Sequence, residues 1–168
     1  MHIWTIENWI DILDYENHNY RTGLRLVFDK DVHPELRSAC KSFASWMRKE
    51  YYFPIRIPIY FKNKRILKCL DGNFACGTFF EPERYSDEPY IRIAVGGFLE
   101  LCQERGTQNA TLSIFKTVSH ELTHYFQWIN GLELTSIGKE RQATLYSDYI
   151  VAEYMDWIHD KNDDSLPA

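Results

Sequence analysis

The chain has 168 residues, a length that suits one domain with a sizeable core. Hydrophobic residues make up 45% and charged residues 26%, an ordinary globular balance, and an aromatic share of 15% points to a ring-rich core or cleft. A net charge of −5 argues against general nucleic-acid binding. With no basic-then-apolar leader and no apolar run of membrane length, a soluble cytoplasmic chain without membrane contacts is expected.

Thr5 to Tyr15 reads as a short helix with a Thr cap and with Trp9, Ile12 and Leu13 turned inward. Leu24 to Phe28 reads as a strand. His33-Pro34-Glu35 opens a helix to about Tyr52, with Pro34 early in the first turn and an apolar face on Leu36, Cys40, Phe43, Ala44 and Met47. Ile55 to Phe61 alternates around Pro58, which predicts an edge strand or a bulge. Arg65–Leu70 and Phe74–Phe80 flank the turn Asp71-Gly72-Asn73 as a hairpin. Tyr90 to Val95 alternates polar and apolar residues, and Phe98 to Glu104 forms a short helix closed by Gly106.

Two long helices follow, at about Asn109–Asn130 and Lys139–Asp160, and the polar tail 161–168 is expected to be loose. The expectation is a single α+β domain over 1–168 with a small, mainly antiparallel sheet. Residues 1–108 supply helices and sheet, and 109–160 supply the helical pair. The four cysteines, at 40, 69, 76 and 102, match no zinc ribbon and are read as buried free thiols, a Cys69–Cys76 pairing being the main exception.

Chemistry concentrates in His120-Glu121-Leu122-Thr123-His124. Histidines four apart on a helix stand one turn apart on one face, so both imidazoles reach one metal ion. Glu121 lies about 100° round the helix, beside such an ion, where it can take a proton from water. By chance the pattern occurs in on the order of one chain in a few hundred. Here Phe115, Val118, Leu122, Phe126 and Ile129 form an apolar stripe opposite a seam of Ser113, Thr117, His120, Glu121 and Gln127. A polar seam on a buried helix suits a cleft.

An open zinc site needs a third protein ligand. A glycine and third histidine soon after the motif are absent, since Gln127 and Asn130 occupy those places. Glu133, Glu140, Asp148, Glu153 and His159 are the candidates. Glu133 falls in the connecting loop, and Asp148 points away from the stripe of Ala143, Ile150, Tyr154 and Trp157 on the last helix. Glu140 and Glu153 flank that stripe on opposite sides. Glu140 is followed by the small Ala143 and Ser147, which permit close helix approach. Bulky Tyr149, Ile150 and Trp157 surround Glu153, which stays the alternative third ligand.

His120-Glu121-Leu122-x-His124-Tyr125-Phe126, followed by Glu140-Arg141-Gln142-Ala143-x-x-Tyr146, resembles the zincins, and within them compact cytoplasmic gluzincin metallopeptidases of the ImmA/IrrE-type group. The resemblance covers roughly the last third of the chain. It implies one Zn²⁺ per chain on His120, His124 and Glu140, and a peptide or protein substrate, with one dedicated target as an option. It also implies an antiparallel edge strand beside the active-site helix, to which extended peptides add. Tyr90 to Val95 is the natural candidate for that strand.

The expected activity is therefore zinc-dependent peptide hydrolysis of narrow specificity, with Glu121 as general base. Tyr146, Tyr149 and His159 are candidate oxyanion donors. Two other readings stay open. One is a degenerate or structural-zinc domain acting as a peptide-binding or regulatory module. The other is a metal hydrolase acting on something other than peptide.

Overall fold

A computed structural model describes residues 1–165. Its elements in chain order are α1 (Trp9–Ile12), β1 (Leu24–Phe28), α2 (Pro34–Glu50), β2 (Ile57–Lys62), β3 (Leu67–Lys68) and β4 (Phe74–Ala75). There follow β5 (Gly77–Phe80), β6 (Tyr90–Ala94), α3 (Phe98–Arg105), α4 (Thr107–Ile129) and α5 (Ser136–Asp164). The class is mixed α and β, compatible with the α+β expectation.

The sheet is not mainly antiparallel. Its order is β1-β2-β6-β5, with β1 parallel to β2, β2 parallel to β6, and β5 alone antiparallel, to β6. The physical reason is the crossover. A helix between β1 and β2 carries the chain back to the same end of the sheet, so the second strand runs with the first. Tyr90–Ala94 is consequently an interior strand, and β5 takes the edge expected of it.

Strand alternation divides the sheet into two faces. Leu24, Leu26 and Phe28 register with Ile57, Ile59 and Phe61, which continue into Ile91, Ile93, Gly77 and Phe79. This inner face meets α2 and α4, and Ile57, Ile59, Ile91 and Ile93 are fully buried there. The other face carries Arg25, Pro58, Tyr60, Arg92, Thr78, Tyr90 and Phe80.

Pro58 sits inside the sheet, not at an edge. Ile57 donates its N–H to Gly23 on the β1 side (2.9 Å), so the next residue faces the β6 side. The ladder with β6 begins only at Ile59, so the missing N–H of Pro58 costs no sheet bond.

Several boundaries differ from the sequence reading. The first helix is a single turn, because the Thr5 hydroxyl donates back to the His2 carbonyl (2.8 Å) and Asn130 takes the Trp9 N–H. The predicted hairpin splits. β3 and β4 form a separate two-stranded ribbon, and β5 starts after Cys76. Helix α5 begins earlier than predicted, capped by Thr135, whose hydroxyl accepts from the Gly138 N–H (3.0 Å). It also runs on to Asp164, with Lys161 over the Trp157 ring, so the start of the expected loose tail is helical. Residues 166–168 of that tail lie outside the described residues.

All four cysteines are free thiols, but only Cys40 is buried, and Cys76 is exposed. No described helix is long and apolar enough to cross a membrane.

The N-terminal segment ties the helical pair together. Buried Trp4 stacks on Phe126 of α4 and donates its indole N–H to Thr123 (3.0 Å). From α5, Tyr146 donates its hydroxyl to the Met1 carbonyl and accepts the Ile3 N–H, both at 3.0 Å.

Candidate metal centre

Helix α4 follows α3 directly, with Gly106 (φ 83°) making the turn that side chains with a Cβ disfavour. Its apolar stripe is buried, as the 3.6-residue period demands, and the opposite seam opens into a cavity of about 1010 Å³. The cavity is walled by β5, by the seam of α4 and by the first turns of α5. Helices α4 and α5 pack on each other more extensively than any other pair. Ala143 and Ser147, both buried, lie at that contact, as small residues allow.

The packing brings His120, His124 and Glu140 together. One ligand atom from each lies within 4.8 Å of the others. His120 Nε2 is 3.1 Å from one Glu140 carboxylate oxygen, and His124 Nε2 is 3.2 Å from the other. The two Nε2 atoms are 3.3 Å apart. Ligands at 2.0–2.1 Å from a tetrahedral ion are separated by about 3.3 Å. The triangle thus has the size of one face of such a coordination shell.

Tautomers sharpen the point. Buried Gln127 accepts from His124 Nδ1 through its Oε1 (2.8 Å), while its amide nitrogen donates to the Lys139 carbonyl (3.0 Å) and to Gln142 Oε1 (2.9 Å). A backbone carbonyl only accepts, so the amide is oriented with nitrogen toward Lys139 and oxygen toward His124. His124 therefore donates from Nδ1, and its Nε2 is the ring nitrogen turned toward Glu140. A lone pair and a carboxylate facing one another repel unless a cation or proton stands between them. The donor set, two imidazoles and a carboxylate, could hold a divalent transition-metal ion.

Glu121 is buried beside the triad. Burial, aided by the charge of Glu140, pushes its carboxyl up to about 8. Burial also lowers the basicity of His120, as does neighbouring His124, against a smaller opposing effect of Glu140.

Two residues of the site were not assigned a role from sequence. Gln127 stood on the polar seam, and its i+3 spacing from His124 was the available signal. Gly77 is the second. A Cβ there would lie 2.7 Å from Thr117 Cγ2 and 3.0 Å from Glu121 Oε1, so only glycine lets β5 run this close to α4. An isolated glycine within a strand pattern is the recognised sign of such an approach.

Other candidates stand apart from the triad. Glu153 accepts the Tyr51 hydroxyl (2.7 Å) and lies 3.6 Å from His2. Asp148 pairs with Lys116 (3.0 Å), and Glu133 is an exposed loop residue. Among the suggested oxyanion donors, Tyr146 is engaged by Met1 and Ile3, Tyr149 lies against His2, and His159 pairs with Asp163. None of the three lines the cavity. Comparison of the chain with known protein families, curated proteins and solved structures found no match.

Proposed function

We propose that the chain is a zinc-dependent hydrolase of the zincin type, acting on peptide bonds with narrow specificity. The observation that carries the reading is the triangle of His120, His124 and Glu140 acceptor atoms, with a buried carboxylate, Glu121, beside it. Support for the zincin architecture comes from the motif helix α4 lying beside an edge strand, β5, that runs antiparallel to its neighbour.

A divalent ion held by His120, His124 and Glu140 would supply Lewis acidity to a water and to the scissile carbonyl. The chain's own groups do the rest. Gln127 keeps the His124 proton on Nδ1 and its Nε2 free to ligate. The positive charge of such an ion would favour the ionised form of Glu121, which would then take the proton of the attacking water and return it to the leaving amine. The free edge of β5 offers backbone N–H and C=O groups to an extended chain laid along the cavity, which holds the scissile bond near the triad.

The test is metal content of purified wild type, His124→Ala and Glu121→Gln after loading with zinc. The expectation is about one zinc per chain in wild type, loss in His124→Ala and retention in Glu121→Gln. A wild type without zinc under metal-replete conditions would sink the proposal. Cleavage of candidate protein substrates is then compared between wild type and Glu121→Gln. Equal cleavage removes Glu121 from its role. Zinc binding with no cleavage of any substrate would favour a peptide-binding or regulatory module instead.

A further inference from the structure

The cavity that holds the triad continues past β5 onto the outer face of the sheet, where its wall includes Thr78, Phe80, Tyr90 and Arg92. Register places these side chains together. Thr78 on the edge strand is paired with Arg92 on β6, and Phe80 is paired with Tyr90. All four point away from the helices, because Gly77, Phe79, Ile91 and Ile93 occupy the inner face.

Arg92 is under-used by the protein. Its guanidinium donates once, to the Lys68 carbonyl (3.2 Å), and its Nε is buried without a partner. Among the described residues it forms no ion pair. Asp71, the acid in the adjoining ribbon turn, is already engaged at both oxygens by Asn73 (2.9 and 3.0 Å). Lys116, another cation of the wall, is paired with Asp148. An arginine with spare donors in a cleft wall is suited to a carboxylate, which it can grip through two parallel bonds.

Beside it, the Phe80 and Tyr90 rings stack at 4.9 Å and 15°, and Tyr60 meets Tyr90 edge-on at 6.2 Å. They present an aromatic surface two residues along the strand from Arg92. A segment added to the free edge of β5 lies about 10 Å from β6, two strand spacings away. Thr78 is short and leaves the lane between them open. That gap is within the joint reach of arginine and an aspartate or glutamate. Alternate residues of the added strand would then meet first the Arg92 lane and next the ring pair.

We propose that the cleft takes an extended acidic peptide segment. In it a carboxylate side chain is read by Arg92 across Thr78, and an apolar or aromatic side chain two residues away rests on Phe80 and Tyr90. The choice of a peptide rests on the peptidase reading above, while the acidic preference rests on Arg92.

The experiment measures binding, so it does not depend on turnover. Zinc-loaded Glu121→Gln protein is titrated with fluorescein-labelled, capped octapeptides on a neutral background. One position carries Asp, Glu, Asn, Gln or Lys, and the position two residues on carries Phe or Gly. Peptides with Asp or Glu should bind at least about tenfold tighter than their Asn or Gln counterparts. The advantage should be largest with Phe two residues on. Adding Arg92→Gln should erase the difference between acid and amide, and Arg92→Glu should turn the preference toward Lys. If the charge reversal does not fold, Arg92→Lys keeps the charge without the two-pronged grip and should retain a reduced acid preference.

No binding of acidic peptides, no difference between acid and amide, or a difference that survives Arg92→Gln would overturn the proposal. Acid-selective, Arg92-dependent binding by a protein that cleaves nothing upholds this inference while the peptidase reading fails. Cleavage of peptides without regard to acidic residues does the reverse.

Discussion

At the scale of single residues, Gln127 couples two helices through one side chain. One buried amide fixes the tautomer of His124 and grips the carbonyl of Lys139, the residue before Glu140. It links two proposed ligands that come from different helices. Replacing it with leucine keeps the volume but leaves His124 Nδ1 without its acceptor. Zinc affinity, measured by chelator competition, is expected to fall about 10–100-fold. Nitrogen chemical shifts of the His124 ring should show the loss of a fixed tautomer. An unchanged zinc affinity would mean that Gln127 only fills space. This bridge was hard to foresee. Spacing along α4 puts Gln127 near His124, but its second partner sits on α5, and nothing in a linear sequence states how two helices are staggered.

At the scale of elements, the helices were the most legible part of the chain. Both α4 and α2 repeat their apolar residues every third and fourth position, and that period has one structural solution. Glu140 was legible through its small neighbours, because Ala143 and Ser147 signal close helix contact. Sheet topology was less legible. Alternation looks alike in parallel and antiparallel strands, and the signal lay instead in the order strand, helix, strand over 24–62, a crossover unit. The edge role of β5 was masked because Phe74–Phe80 reads as one continuous strand until Cys76 interrupts it.

The N-terminal segment, an element without regular structure, carries its own prediction. His2 is packed against Tyr51, Tyr146 and Tyr149, and burial lowers its pKa below the usual 6.5, only partly opposed by Glu153. The unfolded chain therefore takes up the His2 proton more readily than the folded one. Stability from this group is complete above about pH 6.5 and declines as pH falls through the folded value. Urea midpoints at pH 7.5 and pH 5 should fall further for wild type than for His2→Gln. Equal declines would show that the segment does not sense protonation at His2.

For the molecule as a whole, the proposed ion would act as a staple. Its ligands would come from α4 and α5, which are joined by the short loop 130–135, and the unfolded chain holds no such preformed site. At free zinc a thousandfold above the dissociation constant, the stabilisation is about 4 kcal/mol. For a chain of this length that corresponds to roughly 10 °C in melting temperature. Calorimetry with and without a chelator should show this difference in wild type and almost none in His124→Ala. The same melting temperature for wild type in both conditions would deny the ion a structural contribution.

The exposure of Glu140 has a kinetic meaning. Its side chain is 64% exposed, against 24% for His120 and 15% for His124. An ion would therefore enter and leave past the carboxylate, and its residence time would follow how often the first turns of α5 fray. Those turns are held by the Thr135 cap on Gly138, which touches no ligand. Removing the cap costs about 1 kcal/mol. Thr135→Ala should then speed zinc release about fivefold in stopped-flow transfer to a chromogenic chelator, with the geometry of the bound state unchanged. An unaltered release rate would place the exit elsewhere. The end of one helix would thus set the tempo of exchange for a centre whose chemistry is written on another.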